Sequence, residues 1–323
     1  MNAIVYEEYG TPEVLQLREV DRPVPRENQV LVKVHAASIN ALDWHFLTGS
    51  PFLARIMAGG LLRPKRQILG VDLAGRVEAT GASVSRFQPG DEVFGGCGSG
   101  GALAEYACAA EADLQPKPAT VTFQEAAAAG AAAHTALQGL RDGGQIQAGQ
   151  NVLINGASGG VGTFAVQIAK AFGATVVGVC STSNLDLARS LGADEVIDYT
   201  ERDFTQDEQR YDLIFDVAAK RSFSDCKRML APQGIYVTTE FSPALLLSGL
   251  WVSVTGDQKL VSQLAKPPVE SDWAFMRELL ESGKVAPVID RRYTLDNVPE
   301  ALQYVGEGHA RGKVVIAVEQ SGV

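Results

Sequence analysis

The stretch Val152-Leu-Ile-Asn-Gly-Ala-Ser-Gly-Gly-Val-Gly162 is an apolar run that breaks into glycines, and it continues as Thr163-Phe-Ala-Val-Gln-Ile-Ala-Lys-Ala-Phe172. This pattern predicts a strand, a tight turn and a helix. A turn built from Gly156, Gly159, Gly160 and Gly162 has almost no side chains, so a pyrophosphate can contact backbone N–H groups at the helix N-terminus. The stretch therefore indicates dinucleotide binding.

The segments that follow strengthen this interpretation. The common fingerprint is G-x-G-x-x-G, and here Ala157 takes the first position, so the spacing is met only as G-x-x-G-x-x-G. The next segments predict a strand at 175–180, a helix at 185–191 and strands at 195–198 and 211–216. Strands that alternate with helices predict a doubly wound parallel sheet, the Rossmann fold.

The end of the second strand bears on the choice of cofactor. NAD-selecting folds place Asp or Glu there, whereas this chain has Cys180, Ser181 and Thr182, and its nearest acid in sequence is Asp186. The two hydroxyls can donate to a 2′-phosphate, which favours NADPH. The alternative is that Ser181 and Thr182 only cap the next helix.

Composition limits the class of protein. The chain has 323 residues, is 46% hydrophobic and carries a net charge of −10, which indicates about two globular domains and argues against a nucleic-acid surface. Its four cysteines are scattered without a C-x-x-C pair, which is typical of reduced thiols. With no signal peptide and no apolar run of about 18 residues, we expect a cytoplasmic protein without a membrane span.

The predicted domain organisation is discontinuous. Alternating runs at 30–36 and 70–79 predict a β-rich first domain. Thr122 and Glu125 form a capping-box pattern that opens one alanine-rich helix. The strand-like runs 286–290 and 313–318 look more like the first domain than the second. We therefore expect a catalytic domain from 1–121, a dinucleotide-binding domain from 122–264, and a return to the catalytic domain from 265–323.

Polar residues cluster in Ser38-Ile-Asn-Ala-Leu-Asp-Trp-His45, after a predicted strand. Zinc binding requires converging thiolates, imidazoles or carboxylates. Asn40 is a poor ligand, and no second Cys or His follows at a recognised spacing. We therefore predict no metal site.

Motifs along nearly the whole chain are similar to those of the medium-chain dehydrogenases/reductases, in the zinc-free quinone oxidoreductase branch that includes reticulon-4-interacting and chloroplast-envelope quinone oxidoreductase-like proteins. The motifs are Ala37-Ser-Ile-Asn-Ala-Leu-Asp43, Ile68-Leu-Gly-Val-Asp-Leu-Ala-Gly75, Gly90-Asp-Glu-Val-Phe94, Gly156-Ala-Ser-Gly-Gly-Val-Gly162, Leu191-Gly-Ala-Asp-Glu-Val-Ile-Asp-Tyr199 and His309-Ala-Arg-Gly-Lys-Val-Val315. In zinc-dependent relatives a cysteine ligand stands at position 40 and a Gly-His-Glu run at 70–72.

The resemblance implies a GroES-like catalytic domain with a Rossmann domain inserted in it and the active site in the cleft between them. It assigns cofactor contacts to Ser158, Gly160, Val161, Ser181, Tyr199, Arg311 and Lys313. Two departures concern the same contacts: Ala132 replaces a frequent threonine near the nicotinamide, and Asn184 replaces a basic residue near the 2′-phosphate.

Without zinc, hydrogen bonds must polarise the carbonyl that accepts hydride. Asn40 is the first candidate donor, and His45 could bind substrate or supply a proton, the alternative being a loop histidine in solvent. We expect an NADPH-dependent reductase of quinones or α,β-unsaturated carbonyls. The rivals are a zinc-free alcohol or aldehyde reductase and a weakly catalytic NADPH-binding regulator.

Two further expectations concern specificity and assembly. Apolar residues in the loops 48–62 and 241–254 suggest a hydrophobic substrate but could equally form a subunit interface. By resemblance, the protein is expected to be a homodimer.

Overall fold

A computed structural model describes residues 1–98, 100–240, 257–263 and 266–319. It divides the chain into two compact units. One consists of 1–131, 267–282 and 287–323, and the other of 132–266 and 283–286. The predicted loop at 241–254 and the predicted boundary between 264 and 265 fall outside the described residues.

The first part of the chain is rich in strands. Its elements are β1 (Asn2–Val5), β2 (Gln16–Glu19), β3 (Gln29–Ile39), α1 (Ala41–Thr48), α2 (Phe52–Met57), β4 (Asp72–Thr80), β5 (Glu92–Gly96), β6 (Tyr106–Ala110), β7 (Leu114–Pro116) and α3 (Phe123–Ala128).

The middle of the chain alternates strands with helices. Its elements are α4 (Ala131–Gln138), β8 (Asn151–Asn155), α5 (Gly160–Ala171), β9 (Thr175–Cys180), α6 (Leu185–Ser190), β10 (Glu195–Asp198), β11 (Tyr211–Asp216), α7 (Phe223–Lys227), β12 (Leu230–Thr238) and β13 (Lys259–Ser262). The last part contains α8 (Glu270–Glu281), β14 (Ile289–Thr294), α9 (Val298–Gly306) and β15 (Lys313–Ala317).

The second unit is built on a six-stranded sheet in the order β10-β9-β8-β11-β12-β13. Every neighbouring pair in this sheet is parallel. Counted from β8, the order is 3-2-1-4-5-6, which is that of the Rossmann fold. The order reverses between β8 and β11, so a ligand crevice is expected beyond the carboxyl ends of these two strands. The Rossmann prediction is confirmed.

The first unit is built on a seven-stranded sheet in which β14, β15, β3, β4, β5 and β7 follow one another and β6 also pairs with β3. β15 pairs antiparallel with β3, bringing residues near the C-terminus beside 36–39. Apolar residues of β3, β4 and α9 pack in one hydrophobic core. The last part of the chain therefore completes the first sheet, and the prediction of a Rossmann sheet inserted in a β-rich domain is confirmed.

The alanine-rich segment differs from the sequence prediction. Thr122 and Glu125 do form the capping box, with the Thr122 N–H donating to Glu125 Oε2 over 2.8 Å. However, one helix ends at Ala128 and a second begins at Ala131. Asp72 explains the break, because Ala131 N–H donates to its Oδ1 over 2.8 Å and a Cβ on Gly130 would lie 2.2 Å from the same oxygen.

Candidate active site

The glycine turn has the geometry of a phosphate cradle. Gly156 has φ +90°, which favours glycine, and a Cβ there would meet Ala218 N at 3.1 Å. A Cβ on Gly162 would lie 2.0 Å from Gly156 O, so only glycine lets α5 approach β8 this closely. Gly159 is the extended N-cap residue of α5. These three glycines fit a dinucleotide pyrophosphate bound by backbone N–H groups.

The remaining predicted pyrophosphate contacts lie in the same turn. Ser158 and Gly160 flank the N-cap residue, and Val161 follows in the first turn of α5. All three are half-buried, which leaves part of each accessible to a ligand.

Asp216 lies at the carboxyl end of β11 and was missed by the sequence reasoning. Its Oδ1 accepts from Asn155 Nδ2 over 2.8 Å and from Ala219 N–H over 2.9 Å, and its Oδ2 accepts from Tyr236 Oη over 2.6 Å. Burial raises the pKa of this carboxyl. The network fixes the loop that contacts Gly156, and so it shapes the crevice at the switch point.

The end of β9 is lined by hydroxyl groups. Ser181 Oγ accepts from Asn184 Nδ2 over 3.0 Å, and Thr182 Oγ1 lies 2.9 Å from Thr200 Oγ1. The Ser181 side chain makes no capping hydrogen bond to the backbone. Tyr199 is 51% exposed, and its N–H donates to Cys180 O over 3.2 Å. The structure thus brings together the predicted residues Ser181, Thr182 and Tyr199.

Asp198 belongs to the same cluster, although the sequence reasoning named Asp186 as the nearest acid. The parallel register places Asp198 directly beside Cys180. Hydrogen bonds from Thr182 and Thr200 lower the pKa of its carboxyl, which is therefore ionised at neutral pH. Arg189, the nearest cation in sequence to Ser181, pairs with Asp186 over 2.9 Å. The pairing of β9 with β10, which the sequence pattern does not specify, adds a negative charge to this cluster.

In the first unit, Asn40 is part of a buried polar network. Its Nδ2 donates to Asp72 Oδ2 over 2.9 Å, and its Oδ1 accepts from Lys313 Nζ over 2.5 Å. Ser38 Oγ also donates to Asp72 Oδ2, over 3.0 Å. Lys313 and Asp72 are each 2% exposed, with Nζ and Oδ2 3.8 Å apart. The two partners determine the orientation of the amide, because the opposite orientation would point its NH₂ group at an ammonium.

Asp43 supports the same network from the first turn of α1. Its Oδ2 accepts from Asn40 N–H over 2.8 Å and its Oδ1 from Gly70 N–H over 3.0 Å. Burial raises its pKa to about 6, and the hydrogen bond from Asn40 opposes that rise. Burial also lowers the pKa of Lys313, against the attraction of Asp72 and Asp43.

The other predicted residues of this unit lie outside the network. His45 is exposed, and its Nδ1 lies 2.7 Å from Ser50 O. A carbonyl can only accept, so Nδ1 carries the hydrogen and Nε2 is left as an acceptor. Arg311 is exposed, and its backbone N–H donates to Asp290 Oδ2 over 2.9 Å. Two residues further on, the Lys313 side chain is buried beside Asn40.

Comparison with known proteins agrees with this architecture. Residues 26–119 match the family model for the alcohol dehydrogenase GroES-like domain, and 191–316 match that for zinc-binding dehydrogenases. The spinach chloroplastic quinone-oxidoreductase homolog is 33% identical, with 98% of each chain covered. The mouse mitochondrial NAD(P)H oxidoreductase RTN4IP1 is 35% identical, with 98% of this chain and 89% of the mouse protein covered.

A solved structure of the quinone oxidoreductase from Coxiella burnetii superposes with a TM-score of 0.87 at 30% identity, with 99% of each chain covered. The tomato 2-methylene-furan-3-one reductase is 35% identical, with 98% of this chain and 79% of the tomato protein covered. The fold and these matches define a medium-chain dehydrogenase/reductase, an oxidoreductase that binds a nicotinamide dinucleotide. Within that superfamily, the chain belongs to the quinone oxidoreductase-like branch.

The zinc named in one family description does not fit the residues at this site. The Lys313 ammonium lies 2.5 Å from Asn40 Oδ1 and 3.8 Å from Asp72 Oδ2, and both oxygens of Asp43 accept backbone N–H groups. In the part of the chain that the structure describes, no three His, Cys, Asp or Glu side chains are grouped to hold a metal. No helix within the same residues is long and apolar enough to cross a bilayer.

Proposed function

We propose that the protein is an NADPH-dependent, zinc-independent reductase of quinones or α,β-unsaturated carbonyls. The observation that carries this proposal is the position of Lys313. Its ammonium holds the Asn40 oxygen where zinc-dependent relatives have a metal ligand. Activation of a carbonyl then falls to hydrogen-bond donors, and Asn40 is the donor we propose.

Asn40 retains the capacity for this role. A primary amide has two N–H groups, and one of them is bonded to Asp72. The residue is half-buried, so the second N–H can reach a ligand. The ammonium bonded to Oδ1 withdraws electron density from the amide and strengthens its remaining N–H as a donor. Lys313 is therefore proposed to act through Asn40, as a positioning residue.

A conjugated acceptor suits a site with a neutral donor. When hydride reaches the β-carbon of an enone or a quinone, the charge is delocalised onto the oxygen, where an N–H group stabilises it. A saturated ketone or aldehyde offers no such delocalisation and requires stronger activation. Asn40 therefore favours conjugated substrates.

The dinucleotide is proposed to bind at the glycine turn, with Gly156, Gly159 and Gly162 allowing the close approach and Ser158, Gly160 and Val161 contacting the pyrophosphate. When bound, it supplies the hydride. Ser181 and Thr182 would donate to the 2′-phosphate and Tyr199 would contact the adenosine. Asp198 opposes this preference, so NADPH is expected to be favoured over NADH only moderately.

His45 is proposed as a substrate contact. Its Nε2 is free of the Ser50 bond and can accept a hydrogen bond or a proton. Arg311 is proposed to contact the cofactor, because it is exposed and lies in the turn before β15.

The proposal is tested with protein dialysed against a chelator until no zinc is detected. NADPH and NADH oxidation is measured with 1,4-benzoquinone, a simple enone, and the matching saturated ketone and aldehyde. Turnover of the conjugated acceptors alone supports the proposal. Turnover of saturated carbonyls at comparable rates would favour the alcohol or aldehyde reductase, and tight NADPH binding without turnover would favour the regulator.

We also infer a homodimer, on the resemblance stated above, and a cytoplasmic location, because the four cysteines are scattered in the way that is typical of reduced thiols. Sedimentation velocity gives the mass of the particle, and cell fractionation gives its compartment. A monomer at micromolar concentration, or recovery in an organelle, would contradict the corresponding half of this inference.

A further inference from the structure

Exposed apolar side chains are concentrated in one short stretch. Six of the ten large apolar side chains that are exposed in the described residues belong to α2 and the loop after it. They are Phe52 (62% exposed), Leu53 (39%), Ile56 (56%), Met57 (50%), Leu61 (55%) and Leu62 (90%). Exposed apolar side chains grouped in one short stretch of chain are typical of an interaction site.

The helix within this stretch buries its small residues and exposes its large ones. Ala54 in α2 and Ala58 directly after it are 5% and 1% exposed, while Phe52 and Ile56 are 62% and 56% exposed. A helix packed on a soluble core normally does the reverse, because burial of larger side chains stabilises more. The orientation of α2 is therefore not explained by packing in this unit.

Specific contacts hold the stretch in that orientation. Arg55 Nε donates to Gly49 O over 3.1 Å, and its guanidinium lies over the Tyr9 ring, 4.9 Å from the centroid. Tyr9 Oη donates to Gly60 O, on the loop after α2. These contacts anchor both ends of the stretch, so its apolar side chains are presented outward on a fixed scaffold.

The segment itself carries a charge opposite to that of the whole protein, although Glu7, Glu8 and Glu13 line a pocket together with Arg63. The chain carries a net charge of −10, yet residues 44–71 contain no Asp or Glu and four cations, Arg55, Arg63, Lys65 and Arg66. Among the described residues, the last three cations make no salt bridge with a carboxylate. Large apolar side chains beside unpaired cations fit an anionic lipid surface, because apolar groups enter the headgroup region while cations contact phosphates.

We propose that the 52–66 surface, defined as residues 52 to 66, docks on an anionic lipid bilayer. The six apolar side chains enter the boundary between headgroups and acyl chains, and Arg63, Lys65 and Arg66 contact the lipid phosphates. Because the rest of the acidic chain is repelled by such a bilayer, binding must come from this local surface. The proposal does not depend on the reductase activity.

The test is co-sedimentation of the full chain with vesicles of phosphatidylcholine, alone or mixed with phosphatidylglycerol. We expect binding to the mixed vesicles only, weakening as salt is added. Arg63→Ser with Lys65→Ser should weaken binding about 25-fold, since each cation near an anionic surface contributes about fivefold. Phe52→Ser with Ile56→Ser should abolish it. Val24→Ser, and Lys227→Ser with Lys259→Ser, are the matched controls and should bind as the wild type does.

Circular dichroism and thermal unfolding show whether each variant folds. If Phe52→Ser with Ile56→Ser does not fold, the variant Arg63→Ser with Lys65→Ser, which changes two exposed residues, still tests the proposal. Failure of the wild type to bind mixed vesicles would overturn the proposal. Binding as strong as that of the wild type by both Arg63→Ser with Lys65→Ser and Phe52→Ser with Ile56→Ser would overturn it as well. A wild-type dimer that Phe52→Ser with Ile56→Ser converts to a monomer, without vesicle binding, would assign the surface to a second copy of the chain instead.

Discussion

The Lys313 ammonium lies 2.5 Å from the side-chain oxygen of Asn40, although 273 positions separate the two residues in the chain. Antiparallel pairing of β15 with β3 creates this contact, since Val314 is directly opposite Ile39. A buried lysine thus determines the direction of the amide that we propose as the carbonyl donor.

Lys313→Met is expected to lower kcat for a quinone about tenfold, which corresponds to loss of one polarising hydrogen bond. The KM for NADPH should stay unchanged. The variant should also unfold more easily, by about 3 kcal/mol, because Asp72 is left buried without its cation. Lys33→Met removes an exposed lysine of β3 and is the control. A raised KM for NADPH with kcat unchanged would show that Lys313 acts on the cofactor instead.

Asn40→Asp removes both N–H groups of Asn40, including the one bonded to Asp72, and keeps an acceptor for Lys313. Aspartate can still accept from Lys313 but has no N–H to donate, so kcat with a quinone should fall about 100-fold, as for loss of one oxyanion donor. Asn40→Ala should give a similar loss, and cofactor affinity measured by fluorescence titration should hardly change in either variant. A kcat of Asn40→Asp near that of the wild type would remove this donor from the mechanism.

Ser181→Glu places a negative charge where the 2′-phosphate is proposed to bind. Repulsion should raise the KM for NADPH about tenfold or more and leave the KM for NADH nearly unchanged. Ser190→Glu, which adds the same charge at the end of α6, is the control. Equal effects of Ser181→Glu on both cofactors would contradict the NADPH assignment.

Asp198→Asn tests the opposing charge. The amide keeps an acceptor for Thr200 but removes the charge beside Cys180, so the KM for NADPH should fall several-fold relative to that for NADH. The ratio of kcat/KM values for the two cofactors measures the change. Asp186→Asn, in the exposed pair with Arg189, is the comparison, and its ratio should move less. An unaltered ratio in Asp198→Asn would place this carboxylate away from the cofactor.

Asp43 should make the protein less stable as pH rises. Its pKa is raised from the ordinary value of 3.8 to about 6 in the fold, so the folded state binds the proton more tightly than the unfolded state does. The stabilisation that follows from the raised pKa is complete below the unfolded-state pKa and is lost as pH rises through about 6. Between pH 5 and pH 8 its loss lowers the free energy of unfolding by about 1.4 kcal/mol. Urea unfolding of the wild type and of Asp43→Asn at several pH values measures the difference between their free energies of unfolding. A difference that does not vary with pH would show that the pKa of Asp43 is not raised.

Local sequence was sufficient for the elements of the Rossmann unit. The glycines at 156, 159 and 162 impose their turn through backbone conformation and close packing, which depend on residues only a few positions away. The capping box of Thr122 and Glu125 and the strands at 152–155, 175–180 and 211–216 are similarly local in origin. Side-chain periodicity and capping therefore predicted them, while the resemblance supplied the order of the domains and the candidate roles.

Only the tertiary structure decided which distant groups share an environment. Strand pairing brought Lys313 to Asn40 and Asp198 to Cys180, and the chain passing over Asp72 split the predicted alanine-rich helix. The sequence shows that residues 52–62 are mostly apolar, but not that Ala54 and Ala58 are buried and the large side chains of α2 exposed. The physical reason is that hydrogen bonds, charge and burial depend on distances in space, whereas a sequence pattern specifies neighbours along one segment of chain.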